Sequence, residues 1–202
     1  MFARKLAVCC LLLTSFETGR AESRAPSGAR VELYLSAEAK AAAPALDEMR
    51  SELALLMRSA GYEIQWREGA GPSDGEVGDL VVVHLRGVCA APEWRAALKP
   101  IKNLQSLASS SVVDGKVLPF TWVECAALSR FVGPSLKNQK SSNRDRVYGR
   151  AMARLLAHEL YHVLAHTIVH TQDGIAKPKF TIGDLTADHL EFEPEALDQM
   201  QR

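Results

Sequence analysis

The chain predicts an α/β (α+β) domain: a small mixed sheet with one long helix that carries a His-Glu-x-x-His pentad. Three observations predict it. Between residues 30 and 66 the apolar spacing runs from alternation to a helical stripe and back, which is strand, helix, strand. Residues 80–85 (LVVVHL) form an almost unbroken apolar run of strand length. Residues 147–165 keep helical spacing through His158-Glu159-Leu160-Tyr161-His162.

The amino terminus reads as a unit apart. Arg4 and Lys5 precede an apolar run from Leu6 to Phe16, and Gly19-Arg20-Ala21 gives a small-x-small cleavage pattern. Residues 1–21 are therefore expected to be a secretory signal peptide, its apolar run falling short of the roughly 20 residues that cross a bilayer. Residues 22–202 follow as a single exported domain, periplasmic or secreted, with no membrane contact after signal removal. Processing takes three basic residues and one acidic residue from 24 of each, which leaves 21 and 23 and a net charge of −2. That balance lacks the basic excess of a nucleic-acid binder. The domain is expected to be a monomer. Cys89 and Cys125 survive processing, and in an oxidising compartment they either pair as a disulfide or sit as two buried thiols. Neither has the close spacing of a thiolate metal site.

Within the domain, residues 30–35 (RVELYL) alternate as a half-buried strand does. Residues 40–60 follow as an amphipathic helix with Leu46, Met49, Leu53 and Leu56 on its buried stripe, ended by Gly61. Residues 62–66 make a second strand, and a Gly/Pro/Asp-rich loop over 69–78 leads to the apolar run, expected to be a central strand covered on both faces. Strand, helix, strand in this order implies parallel pairing through a right-handed crossover. Residues 94–110 read as a weak helix or irregular loop. Asp114-Gly115 is the signal of a tight hairpin, whose second arm, 117–123, carries Pro119 and suits a sheet edge. Residues 137–146 (KNQKSSNRDR) read as a solvated loop, with Ser142 and Asp145 starting the long helix at Val147. On that helix Arg144, Arg146, Arg150 and Arg154 are expected toward solvent or the helix ends.

Side chains four apart on a helix stand on one face. His158 and His162 can therefore reach one ion, with Glu159 beside its open coordination position. Zinc hydrolases need two neutral imidazole nitrogens, a third ligand, and a carboxylate to take the proton of a water. For the third ligand His170 is better placed than His166. The helical rise from His158 to His166 is about 12 Å, too far for three turns to share one ion, whereas the β-branched run Thr167-Ile168-Val169 weakens the helix. The turn Gln172-Asp173-Gly174 could then bring His170 back. Glu191, Glu193 or Glu195 is the alternative, although Pro194 suits the first turn of a last helix, 195–201, with Glu193 and Glu195 as its N-terminal dipole partners. His84 and His189 read as structural histidines.

The stretch AHELYHVLAHTIVHTQDGIAK resembles the active-site region of small exported bacterial zincins with a metzincin-like fold. The family pattern falls on His158, Glu159, His162, His170, Gly174 and Ile175. It departs in two places: Ile168 stands where the usual third histidine would be, with no glycine before it, and Ala176 replaces the methionine of the turn. The resemblance implies a zincin-like domain over residues 22–202. His158, His162 and His170 would hold Zn²⁺, and Glu159 would act as the catalytic general base on a peptide or protein substrate. An extended substrate is expected to add to the strand at 117–123, with Tyr148, Tyr161 and His189 as candidate oxyanion donors. The competing expectation is an exported zinc-binding domain without catalysis.

Overall fold

Three consecutive buried residues at the centre of Ala29–Leu35 (β1) anchor the sheet. Val31 and Leu33 are fully buried on one face, while Glu32 on the other meets the Arg67 guanidinium at 3.0 Å. A computed structural model describes residues 28–36, 40–67, 79–92 and 106–202. The expected signal peptide, the loop at 69–78 and most of 94–110 lie outside the described residues.

The chain continues through Lys40–Ala41 (β2), Ala43–Ser59 (α1), Tyr62–Arg67 (β3), Asp79–Arg86 (β4) and Val88–Cys89 (β5). Ala108–Val113 (β6), Lys116–Glu124 (β7), Cys125–Leu136 (α2), Ser141–Leu164 (α3), Ile182–Thr186 (α4) and Pro194–Met200 (α5) follow. A five-stranded sheet has the order β3-β1-β4-β7-β6; its first four strands are parallel, and β6 runs antiparallel at the edge. The fold is thus mixed α/β, as the sequence predicts. A small pair of strands, β2 and β5, stands apart.

Helix α1 starts later than expected. Lys40 and Ala41 pair with Val88 and Cys89, and Pro44 then occupies the first helical turn, where its missing N–H costs nothing. Met49, Leu53 and Leu56 are buried as predicted, joined by Ala45 and Met57, while Leu46 is half-buried. Gly61 ends the helix with φ +86°. Strand β4 is the middle strand, but only Val81, Val83 and Leu85 are fully buried; Val82 and His84 are half-buried, and the His84 ring stacks on Trp122. Among the described residues the strand is thus covered more completely on the face of Val81, Val83 and Leu85 than on the other.

Two strands reverse the expectation for the sheet edge. Residues 108–110 are strand rather than helix or loop, and β6 is the edge, whereas β7 lies inside it. Pro119 is tolerated there because β4 pairs with β7 only from Phe120 onward, and the β6 ladder is irregular between Ser110 and Val112. No ladder hydrogen bond is demanded of the proline. The hairpin turn is as predicted, with φ of 51° at Asp114 and 75° at Gly115.

Helix α3 is longer than predicted, beginning at Ser141 with Lys140 as an N-cap that makes no side-chain bond. From Val147 to Leu164 every residue except Arg150 is buried. Gly149 permits this: a Cβ there would lie 2.4 Å from the Ala45 carbonyl oxygen, so only glycine lets α1 approach so closely. Arg154, expected toward solvent, is fully buried. Its guanidinium meets Glu52 at 3.1–3.2 Å and donates to the Asp184 carbonyl at 2.7 Å, tying α3 to α1 and α4. A buried guanidinium needs such partners, since an isolated buried charge is very costly. Cys89 and Cys125 form a disulfide that links β5 to the start of α2, which decides between the two cysteine readings.

Candidate metal centre

The centre is built from the last turns of α3 and the loop after it. His158 and His162 are 9% and 8% exposed, and each ring is fixed by a backbone carbonyl. His158 Nδ1 donates to the Ile175 carbonyl at 2.7 Å, and His162 Nδ1 donates to the Thr167 carbonyl at 2.8 Å. With both Nδ1 positions carrying the proton, both Nε2 atoms present lone pairs, and these face each other at 3.1 Å. Two lone pairs at that distance repel unless a cation lies between them. Nitrogens sharing one zinc at its usual bond length and tetrahedral angle lie about 3.3 Å apart. The Ile175 and Thr167 carbonyls stand where the outer hydrogen-bond partners of metal-bound histidines usually do.

His170 completes the group. Its ring centroid lies 5.2 Å from that of His158 and 4.7 Å from that of His162, and the three candidate ligand atoms lie within 4.8 Å of one another. His170 is the exposed member of the set. Among the described residues these three form the one cluster able to hold an ion; Glu191, Glu193 and Glu195 are not in it. The Glu191 carbonyl instead accepts from Ile175 N, and Glu193 caps α5.

The chain reaches His170 by a turn that the sequence does not announce. Helix α3 stops at Leu164, within one residue of the end expected at 165, and His166 takes φ +48°. Thr167 N donates to the His162 carbonyl at 3.1 Å and His166 N to the Val163 carbonyl at 3.4 Å, the two bonds of a Schellman ending. His166 therefore occupies the left-handed position usually held by glycine and is exposed, away from the ligand set. Tyr161 steadies the following residues, its hydroxyl standing 2.6 Å from Gln199 Oε1 and 3.0 Å from the Val169 carbonyl oxygen, with its single proton available to either acceptor.

The floor of the site is the turn at Gly174-Ile175-Ala176. Gly174 has φ +70°, and a Cβ on it would meet the Glu191 carbonyl oxygen at 2.7 Å. Ala176, where the resemblance expects methionine, is fully buried, and its carbonyl accepts from Thr171 N at 3.1 Å. The Phe180 ring stands edge-on to His158 at 5.5 Å.

Glu159 is 5% exposed and lines a cavity of about 300 Å³ with His158, Leu107, Ala108, Leu155 and Phe180. Burial pushes its carboxyl up to about 7, and the Ser110 hydroxyl, 2.7 Å from Oε2, pulls the other way. Burial likewise lowers His158 to about 4, the Ile175 hydrogen bond opposing it and the neighbouring histidines adding to it. His162 and His170 are lowered too, chiefly by burial. All three rings are thus neutral near pH 7, the form that binds a metal.

Of the candidate oxyanion donors, Tyr161 is committed to Val169 and Gln199. Tyr148 is buried elsewhere, its hydroxyl bonded to the Cys125 carbonyl and Ser129, and burial raises it to about 12. His189 is exposed and outside the cluster. The contact of Ser110 with Glu159 was not foreseen. Its only signal is a polar residue at an inward position of a strand. No protein-family model matches the chain, and neither a curated protein nor a solved structure matches it significantly.

Proposed function

We propose that the chain is a zinc-dependent, zincin-like hydrolase that cleaves peptide bonds, with Glu159 as general base. The observation that carries this reading is the pair of Nε2 lone pairs of His158 and His162 converging at 3.1 Å, with His158 and the buried Glu159 carboxylate lining one cavity. When bound, zinc supplies Lewis acidity that polarises a carbonyl and draws the pKa of a water toward ~7. His158 and His162 would hold the ion through Nε2 while Ile175 and Thr167 keep their rings oriented, and His170 would close the set from the loop. Glu159 would take a proton at its carboxylate and return it to the leaving amine.

The outer side of β6, the edge of the sheet among the described residues, rather than the strand at 117–123, is where an extended peptide would pair. The cavity beside Glu159 would receive one of its side chains. We further propose that residues 1–21 direct export to the periplasm or beyond and that residues 22–202 act as a monomeric domain. Among the described residues no helix is long and apolar enough to cross a membrane.

The test is Glu159→Gln with unfolded casein or a peptide library as substrate. The variant should keep stoichiometric zinc and lose hydrolysis. Unchanged turnover rejects Glu159 as the base. Stoichiometric zinc with no cleavage by the unaltered protein rejects the hydrolase and leaves an exported zinc-binding domain.

A further inference from the structure

Ser110 lies in the outermost strand, within a run of three serines that no motif singles out. Its hydroxyl donates to Glu159 Oε2 at 2.7 Å and stands 3.4 Å from the Glu159 carbonyl oxygen. Strand alternation explains the direction. Ala108 is buried and Ser110 half-buried against α3, while Ser109 between them is exposed.

The mounting is stiff. Ser110 pairs with Thr121, Thr121 pairs with Val83 in the buried middle strand, and the ladder turns irregular only beyond Ser110. On the other side Glu159 projects from the part of α3, Val147–Leu164, that is buried at every residue but Arg150. A glutamate side chain has three rotatable bonds, so a rigid helix alone does not fix its carboxylate. Among the described residues Ser110 is the one side chain that hydrogen-bonds that carboxylate.

We propose that Ser110 is a positioning residue: its hydroxyl holds one oxygen of the Glu159 carboxylate and leaves the other oriented for the proton it accepts. This rests on Glu159 being the base. Because Ser110 belongs to the edge strand, the strand that would pair with an extended peptide is also the strand that orients the base. Substrate docking and base alignment then share one element, and a peptide seated out of register on β6 disturbs both.

The experiment compares zinc-loaded full-length protein with Ser110→Ala and Ser110→Thr. Alanine removes one oxygen from a half-buried position and leaves the backbone pairing intact, whereas threonine keeps the hydroxyl. Crystal structures should show the Glu159 carboxylate displaced or split between conformers in Ser110→Ala and single in Ser110→Thr, with His158 and His162 unmoved and zinc affinity unchanged in both. Peptide hydrolysis should show kcat lowered by about 10–100-fold in Ser110→Ala, the loss of one hydrogen bond to a charged group, with KM unchanged and threonine restoring the rate. A single, undisplaced Glu159 conformer in Ser110→Ala overturns the proposal, as does a wild-type kcat in that variant. If the unaltered protein loads zinc but cleaves nothing, the hydrolase reading falls alone, and the Glu159 conformer in Ser110→Ala decides the positioning role.

Discussion

Gly174→Ala should weaken zinc binding without touching a ligand. Gly174 holds φ +70°, and an added Cβ would lie 2.7 Å from the Glu191 carbonyl oxygen and 3.0 Å from Glu193 N, both backbone atoms. Left-handed backbone costs an alanine roughly 1–2 kcal/mol. Forcing the 191–193 backbone aside adds about 1–3 kcal/mol by the usual scale of overpacking. The expected loss of folding stability is therefore about 2–5 kcal/mol. The neighbouring Ile175 carries the consequence to the metal, because its N–H is held by the Glu191 carbonyl and its carbonyl accepts from His158 Nδ1 at 2.7 Å. A shift at 174 moves that acceptor and frees the His158 ring, and losing such an outer hydrogen bond lowers metal affinity about 10–100-fold. Denaturant unfolding of the metal-free protein gives the first quantity and competitive zinc titration the second. Gly115→Ala is the control: φ is +75° there too, but nothing stands within 4 Å, so it should cost the backbone term alone and leave zinc affinity unchanged. A Gly174→Ala protein that loses stability yet binds zinc as tightly as before would refute the coupling through Ile175.

Three other outcomes are expected. His170→Ala should lose tight zinc binding by elemental analysis, whereas His166→Gly should keep full stoichiometry and unfold no more easily, since glycine suits the left-handed position better; loss of zinc in His166→Gly alone would overturn the ligand assignment. In the metal-free protein His158 and Glu159 oppose each other in pH dependence. His158, lowered to about 4, contributes stability that is full above pH 6.5 and is lost as pH falls through 4; Glu159, raised to about 7, contributes stability that is full below 4.5 and is lost as pH rises through 7. The two should nearly cancel between pH 4.5 and 6.5, so metal-free Glu159→Gln should lose about 2 kcal/mol more than the unaltered protein on acidification from pH 6.5 to 4.5, read by unfolding at a series of pH values. Equal slopes for both proteins would contradict the assigned environments. Gly149→Ala should gain a little helix propensity and still unfold more easily, because the Ala45 carbonyl lies 2.4 Å from the new methyl; a stabilised variant would mean that α1 and α3 can separate freely.

The parts of the fold and site that could be read from the sequence are those governed by local rules. The period of 3.6 placed His158 and His162 on one face, and His170 does join them as expected, although the helix ending at His166 that turns the chain was not what the sequence pointed to. Alternation of polar and apolar residue types gave β1, and the Asp-Gly pair gave the hairpin. What was illegible depends on distant partners. Arg154 looks like a surface residue until Glu52 and Asp184 are set beside it. Pro119 signals an edge unless an irregular ladder absorbs it, and the true edge, ASSSVV, is too polar to stand out. Helix α2 carries Gly133 and Pro134 near its end, which hides its apolar face. His166 shows how a non-glycine residue can hold a left-handed helix ending, which no spacing rule reveals. Ser110 has meaning only through Glu159, 49 positions away.

X-ray absorption at the zinc edge of the loaded full-length protein tests the central assignment most directly. Three imidazole nitrogens and one further light atom at about 2.0–2.1 Å are expected, with the imidazole signal reduced to two rings in His170→Ala. A protein that takes up no zinc, or a first shell with fewer than three imidazoles in the unaltered chain, would contradict it.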